Sequence, residues 1–126
     1  MTRHVLVAAA LAILPGLAWA QAAPETTGPD GATLFRRQCA TCHTLNASEP
    51  ARQGPTLAGV YGRKVGAIEG YKYTAGYTES KLTWNDELLD KYITNPQTVF
   101  PGSTMAYRQS NAEIRHKIID FLKDQH

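Results

Sequence analysis

Cysteine is almost missing from this 126-residue chain: there are two, Cys39 and Cys42, three positions apart. A bridge between them would close a tiny loop and staple nothing distant, so a disulfide-built fold is excluded. Methionine is as scarce, and Met105 is the only one after Met1. No block of one charge exists. Thirteen Lys and Arg stand against eleven Asp and Glu, with signs alternating along the chain, which argues against a nucleic-acid partner. The longest apolar run, Val5 to Leu14, is too short to cross a bilayer comfortably.

That run has the shape of an address. Arg3 and His4 precede it, Pro15-Gly16 breaks it, and Ala18-Trp19-Ala20 offers the small-x-small pattern cut by a signal peptidase. The alternative, a retained membrane anchor, fits its length poorly. The expected organisation is a signal peptide over 1–20, a flexible leader over 21–29 rich in Ala, Pro, Thr and Gly, and one domain over 30–126. Export of this kind implies a periplasmic protein. Loss of Arg3 leaves twelve basic against eleven acidic side chains, a nearly neutral mature chain.

The domain reads as mostly α. Asp30 caps a first helix that carries Gly31, Leu34 and Phe35 on one face and runs to about Cys42. Thr83, with Asp86 as its capping-box partner, opens a second helix holding Trp84, Leu88, Leu89, Tyr92 and Ile93 and ending at Asn95-Pro96, after which a short turn is expected. Ser110 to Glu113 opens a last helix with Ile114, Ile118, Phe121 and Leu122 on one side. Small Gly31 beside Phe35, with Ile118 and Phe121 opposite, suits a close crossing of the first and last helices. Between Thr44 and Thr83 the chain is irregular and glycine-rich. Forty structureless residues in so small a domain need something else to wrap, which points to a large prosthetic group.

Cys39-Ala40-Thr41-Cys42-His43 identifies that group as haem, because C-x-x-C-H is the attachment signature of the c type. Thiols three residues apart reach the same side of the chain, so each can add to one vinyl group of a single porphyrin. His43 is then held against the iron as a metal ligand, and its second ring nitrogen needs an acceptor. The carbonyl of Pro55 is the candidate. A thioredoxin-like pair would need alternating strands and helices, and a zinc site a second ligand pair; neither pattern is present. For the sixth position, a thioether is a soft ligand suited to haem iron. Met105 lies in a polar loop outside any apolar stripe, which favours it as the second metal ligand. His116 and His126 are its rivals.

In these residues the chain resembles class I cytochrome c, the soluble mitochondrial and bacterial members in particular. The likeness runs from Gly31 to Leu122 and includes Gly54-Pro55-Thr56-Leu57, Tyr61-Gly62-Arg63-Lys64, Tyr73-Thr74, Trp84, Tyr92, Asn95-Pro96 and Pro101 to Met105. It implies three main helices and loops wrapped around one covalent haem. It further implies that Arg63, Tyr73, Trp84 and Ser103 contact the propionates and that Tyr92 hydrogen-bonds near the Met105 sulfur. Buried propionates need such donors, since an unpaired buried charge is costly. Two departures stand out. Gln38, Gln97, Thr98 and Thr104 occupy places where a docking ring of lysines is common, and Tyr77 stands where an asparagine is common.

The implied function is one-electron transfer between periplasmic or membrane-bound redox complexes by transient docking. No nucleic acid, small-molecule substrate or catalytic residue is expected. The alternatives are a haem sensor or peroxidase-like enzyme with a displaceable sixth ligand, and a thiol–disulfide exchanger.

Overall fold

The computed structural model describes residues 27–126. The signal-peptide reading of residues 1–20 and most of the leader reading lie outside the described residues. Helix α1 spans Gly31–Gln38, and the Asp30 carboxylate accepts from the Thr33 N–H at 2.7 Å to cap it. It stops four residues short of the expected Cys42. The N–H groups of Cys39 and Ala40 both turn to the Phe35 carbonyl, at 2.8 and 3.0 Å, so the regular ladder loses its register. Residues 40–43 then form a separate turn, in which Cys42 and His43 both donate to the Cys39 carbonyl.

The irregular middle contains one short helix, α2 (Ala75–Thr78). Helix α3 (Asp86–Thr94) starts later than expected, because Asn85 is its cap and accepts from the Leu88 N–H at 2.9 Å. Thr83 pairs instead with Lys64 in an isolated antiparallel bridge. Asn95 caps a further one-turn helix, α4 (Pro96–Val99), where Pro at the first helical position costs no hydrogen bond. Helix α5 (Ala112–Lys123) is capped by Asn111 rather than Ser110, its side chain accepting from Glu113 and Ile114. In each case an Asn one or two residues after the expected Ser or Thr takes the cap; Asn is preferred there over Thr and is the equal of Ser. Three main helices and loops are as the sequence implied. None of the helices among the described residues is long and apolar enough to cross a membrane.

Helices α1 and α5 cross at Gly31. A Cβ there would strike the Lys117 carbonyl and come within 2.7 Å of the Phe121 Cβ, so only glycine lets the two backbones meet. The Phe35 and Phe121 rings pack at 5.5 Å beside this point. Leu34, Phe35, Ile118, Ile119 and Leu122 are all buried. At about 1.5–3 kcal/mol for each fully buried side chain, this seam is a main source of stability.

Helix α3 joins α5 through Arg115, whose Nε lies 2.7 Å from Asp90 Oδ1. The same guanidinium donates to the carbonyls of Gln109 and Ser110, fixing the end of the loop that carries Met105. Its hydrogen bond to Asp90 holds that carboxyl below its ordinary value of 3.8. A depressed carboxyl contributes its stability above the unfolded value and loses it as pH falls through the folded one. Arg115→Ala is therefore expected to cost on the order of 1–2 kcal/mol at pH 7, limited by the partial exposure of Asp90. Urea titrations of both proteins should show that gap narrowing below about pH 4; a gap that does not change with pH would contradict the linkage.

Candidate functional site

The loops and helices enclose a cavity of ≈ 570 Å³, inside the range typical of cofactor sites. Cys39 and Cys42 stand at its wall as free thiols, half-buried, brought there by the turn after α1. His43 lies beside them. Its Nδ1 is 2.8 Å from the Pro55 carbonyl oxygen, the acceptor expected from the sequence. A carbonyl can only accept, so Nδ1 carries the hydrogen and Nε2 keeps its lone pair. Burial lowers the His43 pKa, and the Pro55 hydrogen bond offsets this only in part, so the imidazole is neutral. A neutral ring with one nitrogen tied back and the other free is the state in which histidine binds a metal.

Gly54 is what makes room for that ring. A Cβ at position 54 would collide with the imidazole Cε1 and sit 2.5 Å from Nδ1. The Gly54 N–H also donates to the Cys42 carbonyl at 2.8 Å, pinning the Pro55 strand of chain across the attachment turn.

Burial pushes the Cys39 thiol up to about 11, with the neighbouring Cys42 adding to the shift. Exchange of disulfides needs the opposite, a depressed thiol. The absence of any extended strand among the described residues agrees, and the exchanger reading is set aside.

Met105 lines the same cavity, with Thr104, Ala106 and Tyr107. Arg63, Tyr73, Trp84 and Tyr92 line the same space. Arg63 donates to the carbonyls of Ala58 and Thr56 at 2.7 and 2.9 Å, which fixes its fork and leaves further donors. Burial lowers the Arg63 pKa, though a guanidinium stays charged. Burial likewise raises Tyr73 and, more strongly, Tyr92, so both phenols are neutral donors. Trp84 is buried with its ring edge-on to Tyr92 at 4.9 Å. Ser103 is the exception among the expected residues. It does not line the cavity; its Oγ lies 2.5 Å from the Tyr77 hydroxyl and accepts from the Met105 N–H at 3.3 Å. His116, a rival for the sixth position, is exposed on α5 and outside the cavity, facing Asp90.

The sequence reading gave no role to three contributors. Thr74 Oγ1 is the one buried side-chain polar atom among the described residues without a partner, and Thr74 lines the cavity. An orphaned buried hydroxyl marks a place where an absent acceptor belongs. Tyr71 donates to the Gln53 carbonyl at 2.7 Å and closes the cavity edge, and Gln53 accepts from the Cys42 sulfur at 3.0 Å. Thiols, a free imidazole nitrogen, a thioether and an unused hydroxyl around one apolar chamber fit a covalently held haem.

The comparisons with known proteins agree. A family model described as Cytochrome c matches residues 29–125. The chain is 41% identical over 95 residues to the cytochrome c of Gibberella zeae, covering 75% of this chain and 90% of that one. Against cytochrome c of Arabidopsis thaliana it is 40% identical over 96 residues, 75% of this chain and 86% of that one. It is also 41% identical over 96 residues to cytochrome c2 iso-2 of Magnetospirillum molischianum, covering 75% and 94%. These relatives correct one expectation. Fungal and plant cells, the source of most of the strongest matches, have no periplasm, so the periplasmic location inferred from the leading segment does not stand.

Proposed function

The chain belongs to the cytochrome c family, and from that membership we propose how its own residues serve the electron it carries. The protein is a one-electron carrier with a single covalent haem c. When bound, haem supplies the chemistry, an iron that gains and loses one electron.

Cys39 and Cys42 form the two thioethers. His43 binds the iron through Nε2, with Pro55 fixing its tautomer and raising its basicity. Met105 would supply the second ligand to the iron. Arg63, Tyr73, Trp84 and the orphaned Thr74 hydroxyl donate to the propionates, and Ser103 acts on that side of the site through its neighbours. Tyr92 donates toward the Met105 sulfur. His43 and Met105 would together hold the iron and leave it closed to substrate, so we assign no catalytic residue and read the protein as an electron carrier rather than an enzyme. The apolar chamber excludes water and keeps the surroundings of the iron alike in both oxidation states.

Partners dock transiently over the exposed part of the cavity lining, to which Gln53, Lys72, Thr104 and Ala106 belong. A small contact is enough for an electron to pass and keeps the complex short-lived.

The observation that carries this reading is the His43 ring, buried and neutral, its Nδ1 committed to Pro55 and its Nε2 free. Acid-acetone extraction followed by intact mass tests it. The matured protein should keep its colour and the mass of one haem, and Cys39→Ala with Cys42→Ala should lose both. A colourless matured protein with two alkylatable thiols would refute the reading.

A further inference from the structure

The stretch of chain that carries Met105 has little backbone support. The Ser103 N–H donates to the Phe100 carbonyl at 2.9 Å, and the Gln109 N–H to the Ile93 carbonyl at 2.9 Å. Between these pins, residues 104–108 make no backbone–backbone hydrogen bond among the described residues. Side chains hold the span instead, and two of them are glutamines that lie outside it.

Gln38 is the last residue of α1, directly before Cys39, and it lines the cavity together with Tyr107. Its Oε1 accepts from the Tyr107 hydroxyl, 69 positions along the chain, and from Gln109 Nε2 at 3.1 Å. Gln97, in α4, works from another flank. Its Oε1 accepts from the Arg108 guanidinium at 3.0 Å, and its Nε2 faces the Ser103 carbonyl at 3.5 Å. Both glutamines thus grip the loop through the amide oxygen. That makes the grip chemically selective. The loop side supplies donors, a phenol and a guanidinium, so the other side has to accept. Glutamine and glutamate can do so, whereas a lysine ammonium carries donors only.

We propose that Gln38 and Gln97 are positioning residues that strap the Met105 loop to α1 and α4 through their amide oxygens and so keep its sulfur on the iron. This rests on the reading of Met105 as an iron ligand. An outside ligand can take the sixth position only after the sulfur leaves and its loop swings away. Tyr107 and Arg108 stand two and three residues from Met105, so they leave with it and both straps break. Bonds made only in the closed loop lower the population of the open one, and the apparent affinity for any competing ligand falls by the same factor. Gln38 also ties the segment bearing the first attachment cysteine to the segment bearing the sixth ligand.

The test is an imidazole titration of the ferric holoprotein. Gln38→Lys removes the acceptor and should raise the affinity for imidazole about two- to tenfold, the worth of one lost hydrogen bond. Gln38→Glu keeps the acceptor and should stay within about twofold of the native value. Tyr107→Phe removes the donor and should act like Gln38→Lys. Together the two should give less than the product of their separate effects, because they break the same bond. A residue that only supported the fold would lower resistance to urea and leave the affinity as it was. An unchanged affinity in Gln38→Lys, an equal rise in Gln38→Glu, or full additivity with Tyr107→Phe would overturn the proposal. If Gln38→Lys does not mature, Gln97→Lys set against Gln97→Glu decides by the same criterion. The axial reading is judged separately: Met105→Ala should abolish the weak red charge-transfer band of ferric iron bound to sulfur, and its persistence would refute that reading rather than the straps.

Discussion

Gly54→Ala is expected to deprive the chain of its low-spin, histidine-bound haem. The added methyl enters the space of the imidazole, touching Cε1 and lying 2.5 Å from Nδ1. Either the ring leaves its bond to the Pro55 carbonyl or the backbone of residues 54–55 retreats, and both move the iron-binding nitrogen. Overpacking a tight site costs about 1–3 kcal/mol, which lowers the properly ligated fraction by roughly tenfold or more. Gly76→Ala is the matched control, since its Cβ would meet nothing closer than 3.5 Å. Optical spectra of the two matured variants, normalised to chain, should separate them. Equal low-spin yields would show that the ring does not need the space Gly54 provides.

The second large effect is expected from Met105→Ala. In the native chain the thioether is tethered to the loop that Arg115 fixes at one end and Ser103 at the other. Any free ligand must compete with a group held at high effective concentration. Removing the sulfur should raise the affinity of ferric protein for cyanide or imidazole about 10²-fold. It should also lower the reduction potential, because the soft ligand that favours ferrous iron is gone. Equilibrium titration with imidazole measures the first effect and redox titration the second. An affinity within twofold of the native value would mean that Met105 does not guard the iron, and the sensor or peroxidase-like reading would then regain its footing.

Much of this site could be read from the sequence because its chemistry is local. The C-x-x-C-H spacing places two attachment thiols and one ligating imidazole within five residues, and no tertiary contact is needed to bring them together. The same holds for Asp30, whose capping of α1 depends on a residue three positions away. The helix starts expected at Thr83 and Ser110 are displaced for a local reason too: each has an Asn within two residues, a better cap than Thr and as good a one as Ser, and the Asn accepts from the free N–H groups. The end of α1 was misjudged because unwinding at the Phe35 carbonyl leaves no mark in residue type. Ser103 and Tyr77 are a different case. Their hydroxyls meet across 26 positions of chain, and only the packing of α2 against the Met105 loop makes them partners. Thr74 was invisible for the opposite reason, since what distinguishes it is the lack of a partner.

The crossing at Gly31 also dictates an order of assembly. One wall of the chamber, with Cys39 and His43, is complete once the first half of the chain exists, whereas Ile118 and Leu122 come from the last helix. Until α5 has packed on α1, the chamber lacks the part of its lining that Ile118 and Leu122 supply, and the attachment turn is correspondingly more open. Docking of α5 completes that lining.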